Sequence, residues 1–204
     1  FTPEEHITNE ELVQSFNDYV AKYNEDNKDL IASGDCEALV PSSSEFIKKA
    51  SGIEQRFVQD KEGILDINRM RPKLNERPNS QISILAEMAI KASQEAINQA
   101  EIDSSELDAV ICGCANLQRA YPAIAIEIQQ ELGMTGYAYD MNVACSSATF
   151  AIQNAYNDIQ SGVADKILVV NPEICSGHLN FKDRDAHFIF GDACTAIILQ
   201  RDGQ

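Results

Sequence analysis

The stretch Tyr137–Gly162, YAYDMNVACSSATFAIQNAYNDIQSG, holds the residues whose type and spacing best suit covalent chemistry. A strand-like tract ends near Asn142, the small residues Ala144, Cys145, Ser146 and Ser147 follow, and a helical pattern starts at once. Small side chains let a strand turn sharply into a helix without steric conflict, as in a nucleophile elbow. Cys145 then lies at or just before a helix N-terminus. Unpaired N–H groups and the positive end of the helix dipole stabilise a thiolate there. The same N–H groups can hold an oxyanion during acyl transfer. Spacing alone leaves a second reading open: a buried cysteine acting as a small hydrophobe at a packed strand–helix junction.

The other chemistry-bearing residues read as structural. Cys112 and Cys114 lie on one strand with no second pair nearby, so same-face packing is favoured over a metal or redox pair. Cys175 and Cys194 read as core residues, and His178 and His187 as loop or structural residues. Asp192, in a Gly-Asp pair, is expected to fix a turn by hydrogen bonding. The basic run Arg69, Arg71, Lys73 and Arg77 is either a solvated loop or a surface for an acidic partner.

Elements that must position these groups alternate along the chain. Thr8-x-x-Glu11 is a capping box ahead of a helical pattern reaching about Gly34, with Leu12, Phe16, Tyr19, Val20 and Tyr23 as its apolar stripe. Residues 34–45 read as a loop, a short helix follows through Phe46 and Ile47 to Gly52, and GIEQRFVQ reads as a strand. Residues 60–80 read as a long polar loop. Beyond Ser80 come a helix (81–100), a strand (109–115), a helix (121–132, with Pro122 near its start), a strand (137–144) and a helix (147–161) closed by Gly162. KILVVN (166–171) is a strand of the kind buried on both faces, and FIFGDACTAIIL (188–199) reads as strand, Gly-Asp turn and strand. Such alternation with nearly uniform apolar strands specifies an α/β fold with a mixed, largely parallel sheet covered by helices.

Composition narrows the setting. The 204 residues carry 32 acidic and 16 basic side chains, a net charge of −16, which disfavours nucleic acid and anionic membranes as partners. The charge is uneven: residues 1–37 hold ten acids and two lysines, whereas residues 38–77 hold eight basic residues against six acids. The six cysteines sit mostly in apolar runs and do not look like a disulfide framework. No apolar run approaches the roughly 18–20 residues needed to span a bilayer. With no signal peptide ahead of the acidic start, a reduced, cytoplasmic protein is the expectation.

Several tracts together resemble the N-terminal half of the β-ketoacyl-acyl-carrier-protein synthase III family, in the thiolase superfamily. These are ASGIEQRFV (50–58), the helix 81–100, AVICGCANLQRAYPAIAIEIQQELG (109–133), DMNVACSSATFAIQNA (140–155) and HFIFGDACTAIIL (187–199). The resemblance implies a thiolase-like fold and a ping-pong reaction. In it Cys145 takes an acyl group from acyl-CoA, and malonyl-acyl-carrier protein then decarboxylates and attacks the thioester. It places CoA adenine between Arg184 and Phe46, the latter standing where the family has tryptophan, and sends Tyr121 into the partner subunit's acyl pocket, implying a homodimer. A neighbouring family arginine falls on Ala50; Lys48 and Lys49 are the substitutes, and with Arg69 and Arg71 they form the candidate carrier-protein docking surface. The resemblance implies no metal and no cofactor beyond the CoA thioester substrate.

It also implies that residues 1–204 form one N-terminal half-domain with inserts near 17–45 and 60–80. The family's histidine and asparagine, partners of the cysteine, belong to a C-terminal half that this sequence does not contain. Two alternatives share the cysteine or dispense with it. One is another condensing enzyme of the superfamily, such as a 3-hydroxy-3-methylglutaryl-CoA synthase or a long-chain acyl-CoA condensing enzyme. The other is an inactive half-domain with only a binding role.

Overall fold

A computed structural model describes residues 1–202; the last two residues of the expected 1–204 span lie outside the described residues. The chain divides into two compact units. The sheet unit is built from Phe1–Thr2, Glu76–Glu173 and the stretch from Ala193 onward, and the helical unit from Pro3–Asn75 and Ile174–Asp192.

In the helical unit, strand β1 (His6–Thr8) runs straight into α1 (Asn9–Asp26) through the capping box that the sequence specifies. Thr8 Oγ1 accepts from the Glu11 N–H at 3.3 Å, and Glu11 Oε2 accepts from the Thr8 N–H at 3.0 Å. Lys61 Nζ, 2.6 Å from Glu11 Oε1, holds that carboxyl below its ordinary range. The helix is shorter than the periodicity suggests: it ends at Asp26 with Asn27 as its cap, and a six-residue helix α2 (Lys28–Ser33) closes on Gly34 in the left-handed region. Asn and Asp crowd this end, and both compete with the helix by bonding locally to the backbone.

Helix α3 (Ser44–Ser51) starts on a Ser43 cap and ends at left-handed Gly52. Strand β2 (Gln55–Phe57) pairs antiparallel with β1, and its Arg56 is buried, donating to Ile7 O at 3.1 Å and Asn9 Oδ1 at 2.6 Å. The tract expected to be a continuous loop contains a further helix, α4 (Lys61–Leu65). Asp60 caps it by accepting from the Gly63 N–H, and Ile64 is wholly buried. Five residues are too few for a helical period to emerge from a polar background, so the sequence pattern hides this element. The unit's core gathers Ile7, Leu12, Phe16, Ile47, Val58, Ile64, Phe181 and Phe188.

The Phe188–Phe190 segment is not a strand, contrary to the sequence reading; only β6 (Asp192–Gln200) is. Phe188 instead fills the core, while Ile189 and Phe190 stay exposed. Gly191 passes so close to β2 that an added Cβ would lie 2.7 Å from Phe57 O. Asp192 accepts from Gln59 N–H (2.8 Å), Ser176 N–H (2.9 Å) and Ser176 Oγ (2.7 Å), so the Gly-Asp pair closes this unit as a hydrogen-bond hub.

The sheet unit carries a four-stranded sheet in the order β4-β3-β5-β6. Strand β3 (Ala109–Gly113) is buried throughout and lies parallel to both β4 (Tyr137–Met141) and β5 (Lys166–Ile174). A central parallel strand has both faces covered, which is why AVICG shows no polar alternation. On one face Ala109, Ile111, Ile167 and Val169 meet Ala151, Ala155 and Ile159 of α7 (Ser147–Ser161). On the other, α6 (Ile124–Glu131) packs on β3 and β4 and against α5 (Ile84–Gln99). The Asp140 carboxylate of β4 accepts from the Ile124 and Ala125 N–H groups, both at 2.8 Å, and so ties the start of α6 to the sheet. Cys112, Cys114 and Cys194 are buried as expected, whereas Cys175 lies in a half-buried 3-10 turn rather than in the core.

Thr8→Ala removes one side-chain acceptor of the capping box and is expected to lower stability by about 1 kcal/mol in urea denaturation. Asp192→Ala leaves three donors without their acceptor and is expected to cost about 3 kcal/mol. An unchanged denaturation midpoint would show that water replaces the carboxylate at no cost.

Candidate active site

In the sheet unit, β4 ends at Met141 and α7 begins at Ser147, leaving five residues for the reversal. Ala144 takes φ 48°, a left-handed conformation that non-glycine residues seldom adopt. Two polar residues hold it there. Asn142 Oδ1 accepts from the Ala144 N–H at 3.0 Å, while Asn142 Nδ2 donates to Ala115 O, also at 3.0 Å. Ser147 Oγ accepts from the Val143 N–H at 2.9 Å and donates to Ala144 O at 2.7 Å. Backbone bonds from Ser146 to Val143 O and from Ser147 to Ala144 O tighten the turn further. A residue strained toward the left-handed region immediately before a candidate nucleophile is the kind of outlier that functional turns retain.

Helix α7 approaches the sheet closely because β3 ends in glycine. An added Cβ on Gly113 would lie 2.8 Å from Ser147 O and 2.7 Å from Asn171 Nδ2, and Asn171 Nδ2 itself donates to Gly113 O at 2.9 Å. The tract after β3 is fixed as well: Glu173 accepts from the Ala115 N–H at 2.5 Å and from Asn116 Nδ2 at 3.2 Å. Glu173, Ala115, Asn142 and Ala144 thus form one chain of hydrogen bonds leading to the residue before Cys145.

The outcome is that Cys145 is exposed at the N-terminal end of a 15-residue helix, with Ser146 in the N-cap position and making no side-chain cap bond. The buried-hydrophobe alternative does not describe it. By contrast, Cys112, Cys114 and Cys194 are buried. Burial pushes the Cys112 thiol well above its ordinary value and that of Cys194 up to about 12. Position and exposure make Cys145 a candidate nucleophile.

Tyr121 also belongs to this unit, 77% exposed and preceding Pro122 across a cis peptide just ahead of α6. The sequence reading singled out Cys145 and Tyr121 but missed Gly113, Asn142, Ser147 and Glu173. Their signal was a polar pair, Asn142 and Ser147, flanking the small residues of an expected tight turn.

The remaining expected residues lie in the helical unit. Phe46 and Arg184 meet: the guanidinium carbon of Arg184 sits 4.2 Å from the Phe46 ring centroid, a cation–π pair. Arg184 Nε donates to Pro41 O at 2.9 Å, and Phe188 meets Phe46 edge-on at 5.8 Å. Lys48 is exposed and paired with Glu54 at 2.7 Å, and Lys49 is exposed. Arg69 is half-buried, its guanidinium donating to the carbonyls of Arg71 (3.0 Å) and Pro72 (3.2 Å), whereas Arg71 is exposed. Arg69, Arg71, His178 and Lys182 line an open cleft of about 720 Å³. His178 is exposed; His187 is buried. Among the described residues, no group of three or more His, Cys, Asp or Glu side chains is placed to hold a metal ion, and no helix is long and apolar enough to cross a membrane.

Residues 139–204 match the family model of 3-oxoacyl-[acyl-carrier-protein] synthase III. The chain is 61% identical, over 189 residues, to a β-ketodecanoyl-[acyl-carrier-protein] synthase of Pseudomonas aeruginosa, covering 93% of this chain and 54% of that protein. It is 34% identical over 177 residues to a β-ketoacyl-[acyl-carrier-protein] synthase III of Dinoroseobacter shibae, covering 85% of this chain and 48% of the relative. A crystal structure of 3-oxoacyl-[acyl-carrier-protein] synthase III from Aquifex aeolicus superposes with a TM-score of 0.72 at 25% identity, covering all of this chain and 52% of that one. The corresponding Pseudomonas aeruginosa structure gives 0.71 at 20% identity, covering all of this chain and 50% of that one. The chain spans about half the length of the relatives it matches. By sequence and by its thiolase-like fold, it is a homologue of the N-terminal half of the 3-oxoacyl-[acyl-carrier-protein] synthase III proteins.

Proposed function

We propose that this chain is the cysteine-bearing part of an acyltransferase that condenses an acyl-CoA primer with malonyl-acyl-carrier protein, opening a round of fatty acid synthesis. The observation that carries the reading is the exposed Cys145 on its strained turn at the head of α7. The Cys145 thiol gives up its proton and its sulfur attacks the acyl-CoA carbonyl carbon. The tetrahedral oxyanion collapses with cleavage of the carbon–sulfur bond to CoA, and the departing CoA thiolate takes up that proton, leaving an acyl-Cys145 thioester. Loss of CO2 from malonyl-acyl-carrier protein then leaves a carbanion that attacks the thioester carbonyl. The carbon–sulfur bond breaks, the β-ketoacyl-carrier protein departs and Cys145 is regenerated. Sulfur suits both halves, because a thioester is formed and attacked more readily than an oxygen ester. The reading calls for no cofactor beyond the CoA thioester. The decarboxylation half is assigned to no residue of this chain.

Phe46 and Arg184 are the adenine-binding pair in this reading, since a flat aromatic face and a planar guanidinium offer two stacking surfaces. Exposed Lys48, Lys49 and Arg71 would meet the acidic carrier protein, with Arg69 supporting the loop from within. Exposed Tyr121 would reach a partner subunit in a cytoplasmic homodimer. The Pseudomonas relative is named for a ten-carbon β-ketoacyl product, which condensation with a two-carbon unit derives from an eight-carbon primer. Octanoyl-CoA is therefore the first primer to test.

Incubation with octanoyl-CoA is expected to raise the intact mass of the wild-type protein by one octanoyl group and to leave Cys145→Ala unmodified. An adduct that survives the substitution would remove Cys145 from the nucleophile role. Wild-type protein that binds CoA without acylating would favour a binding module instead. Arg184→Ala is expected to weaken CoA binding by calorimetry about 5–10-fold, the scale of a partly exposed cation–π contact; unchanged affinity would reject the adenine assignment.

A further inference from the structure

We infer that His187 is a positioning residue for CoA recognition, pinning the main chain at Arg184 while the Arg184 side chain swings to admit the adenine. The inference rests on the adenine role of Phe46 and Arg184 proposed above, and all the groups involved lie in the helical unit.

Arg184 and Phe46 leave no room for a third ring. Their separation is 4.2 Å, whereas a ring between them needs two contact layers, about 7 Å in all. Binding must therefore lift the guanidinium by about 3 Å, breaking its Nε bond to Pro41 O. If the main chain moved too, the guanidinium would lose its register over the base.

His187 is built to prevent that. Its Nδ1 lies 2.8 Å from Arg184 O, and a carbonyl only accepts, so Nδ1 carries the proton. The His187 N–H donates to Asp183 O at 2.8 Å, closing the loop on itself. The ring is stacked on Phe16 of α1 at 4.6 Å and edge-on to Phe188 at 5.5 Å, wholly buried. Phe188 in turn supports Phe46, so both partners of the pair rest on one aromatic cluster.

The other ring nitrogen argues against simple packing. Among the described residues, His187 Nε2 is buried without a hydrogen-bond partner. A phenylalanine or leucine would fill the niche without an orphaned polar atom, whose burial is unfavourable. What imidazole supplies that they do not is the Nδ1–H to Arg184 O. Burial, opposed in part by this backbone bond, holds the ring's pKa below its ordinary value and so favours the neutral ring, in which Nδ1–H is the donor and Nε2 is left without a proton.

The test separates donor from bulk. His187→Phe keeps the stack and loses the donor; His187→Asn restores an amide N–H near the Nδ1 position. CoA affinity is expected to fall roughly fivefold in His187→Phe, the worth of one hydrogen bond, and to stay within about twofold of wild type in His187→Asn. The acylation rate of Cys145 at saturating octanoyl-CoA should be retained in both. The loss should vanish in an Arg184→Ala background, because the two residues act as one unit.

Equal loss in both His187 variants, or none in a folded His187→Phe, overturns the inference while leaving the adenine reading intact. If Arg184→Ala itself binds CoA normally, it is the adenine reading that fails. Should His187→Phe not fold, the nitrogen chemical shifts of the wild-type ring decide: an Nδ1–H tautomer is expected, and an Nε2–H tautomer overturns the proposal.

Discussion

A single close approach organises the sheet unit: the end of β3 against the first turn of α7. Gly113 has no side chain because the Ser147 carbonyl occupies that space, and one methyl group there would force the helix away from the sheet. The turn between β4 and α7 is short because the helix sits so low. Ala144 is left-handed because the turn is short, and Asn142 and Ser147 are there to hold it. Cys145 is exposed as the geometric result. Nothing in that sequence of causes begins with the cysteine, which is presented by the packing beneath it.

The helical unit follows a different logic, in which buried polar groups act as clasps. Arg56 gives two of its donors to Ile7 and Asn9 and thereby fastens the β1–β2 pair, although burial lowers its pKa to about 10. Asp192 gathers three donors, and its own burial favours the protonated acid. Each clasp spends the desolvation of a charge to fix a single arrangement of short elements, which a core of ten buried hydrophobic residues leaves underdetermined.

Much of this was legible from the residues alone, and the legible part follows the physics of periodicity. Buried parallel strands and long amphipathic helices have strong repeating patterns, so β3, β5, α5 and α7 were readable, as was the Thr8–Glu11 capping box. Helix α4 was invisible because five residues do not complete two turns. The FIF tract looked like a strand because Phe188, Ile189 and Phe190 have strand propensity, yet the pull of the core on Phe188 overrode it. The turn carrying Cys145 could be placed from its small residues. Its hydrogen-bond supports could not, because Glu173 and Asn142 join only through Ala115, 58 and 27 residues away along the chain.

The distribution of the cysteines has a chemical consequence. Six thiols of the same intrinsic kind are sorted by where the fold places them: three sealed in the interior, two half-covered and Cys145 in the open. Selectivity toward electrophiles then arises from kinetic access, with the interior thiols kept out of reach and burial holding Cys112 and Cys194 toward the protonated form. For the thioester proposed at Cys145, the arrangement keeps the acyl group from wandering by exchange to the buried sulfurs. The fold serves as its own protecting group.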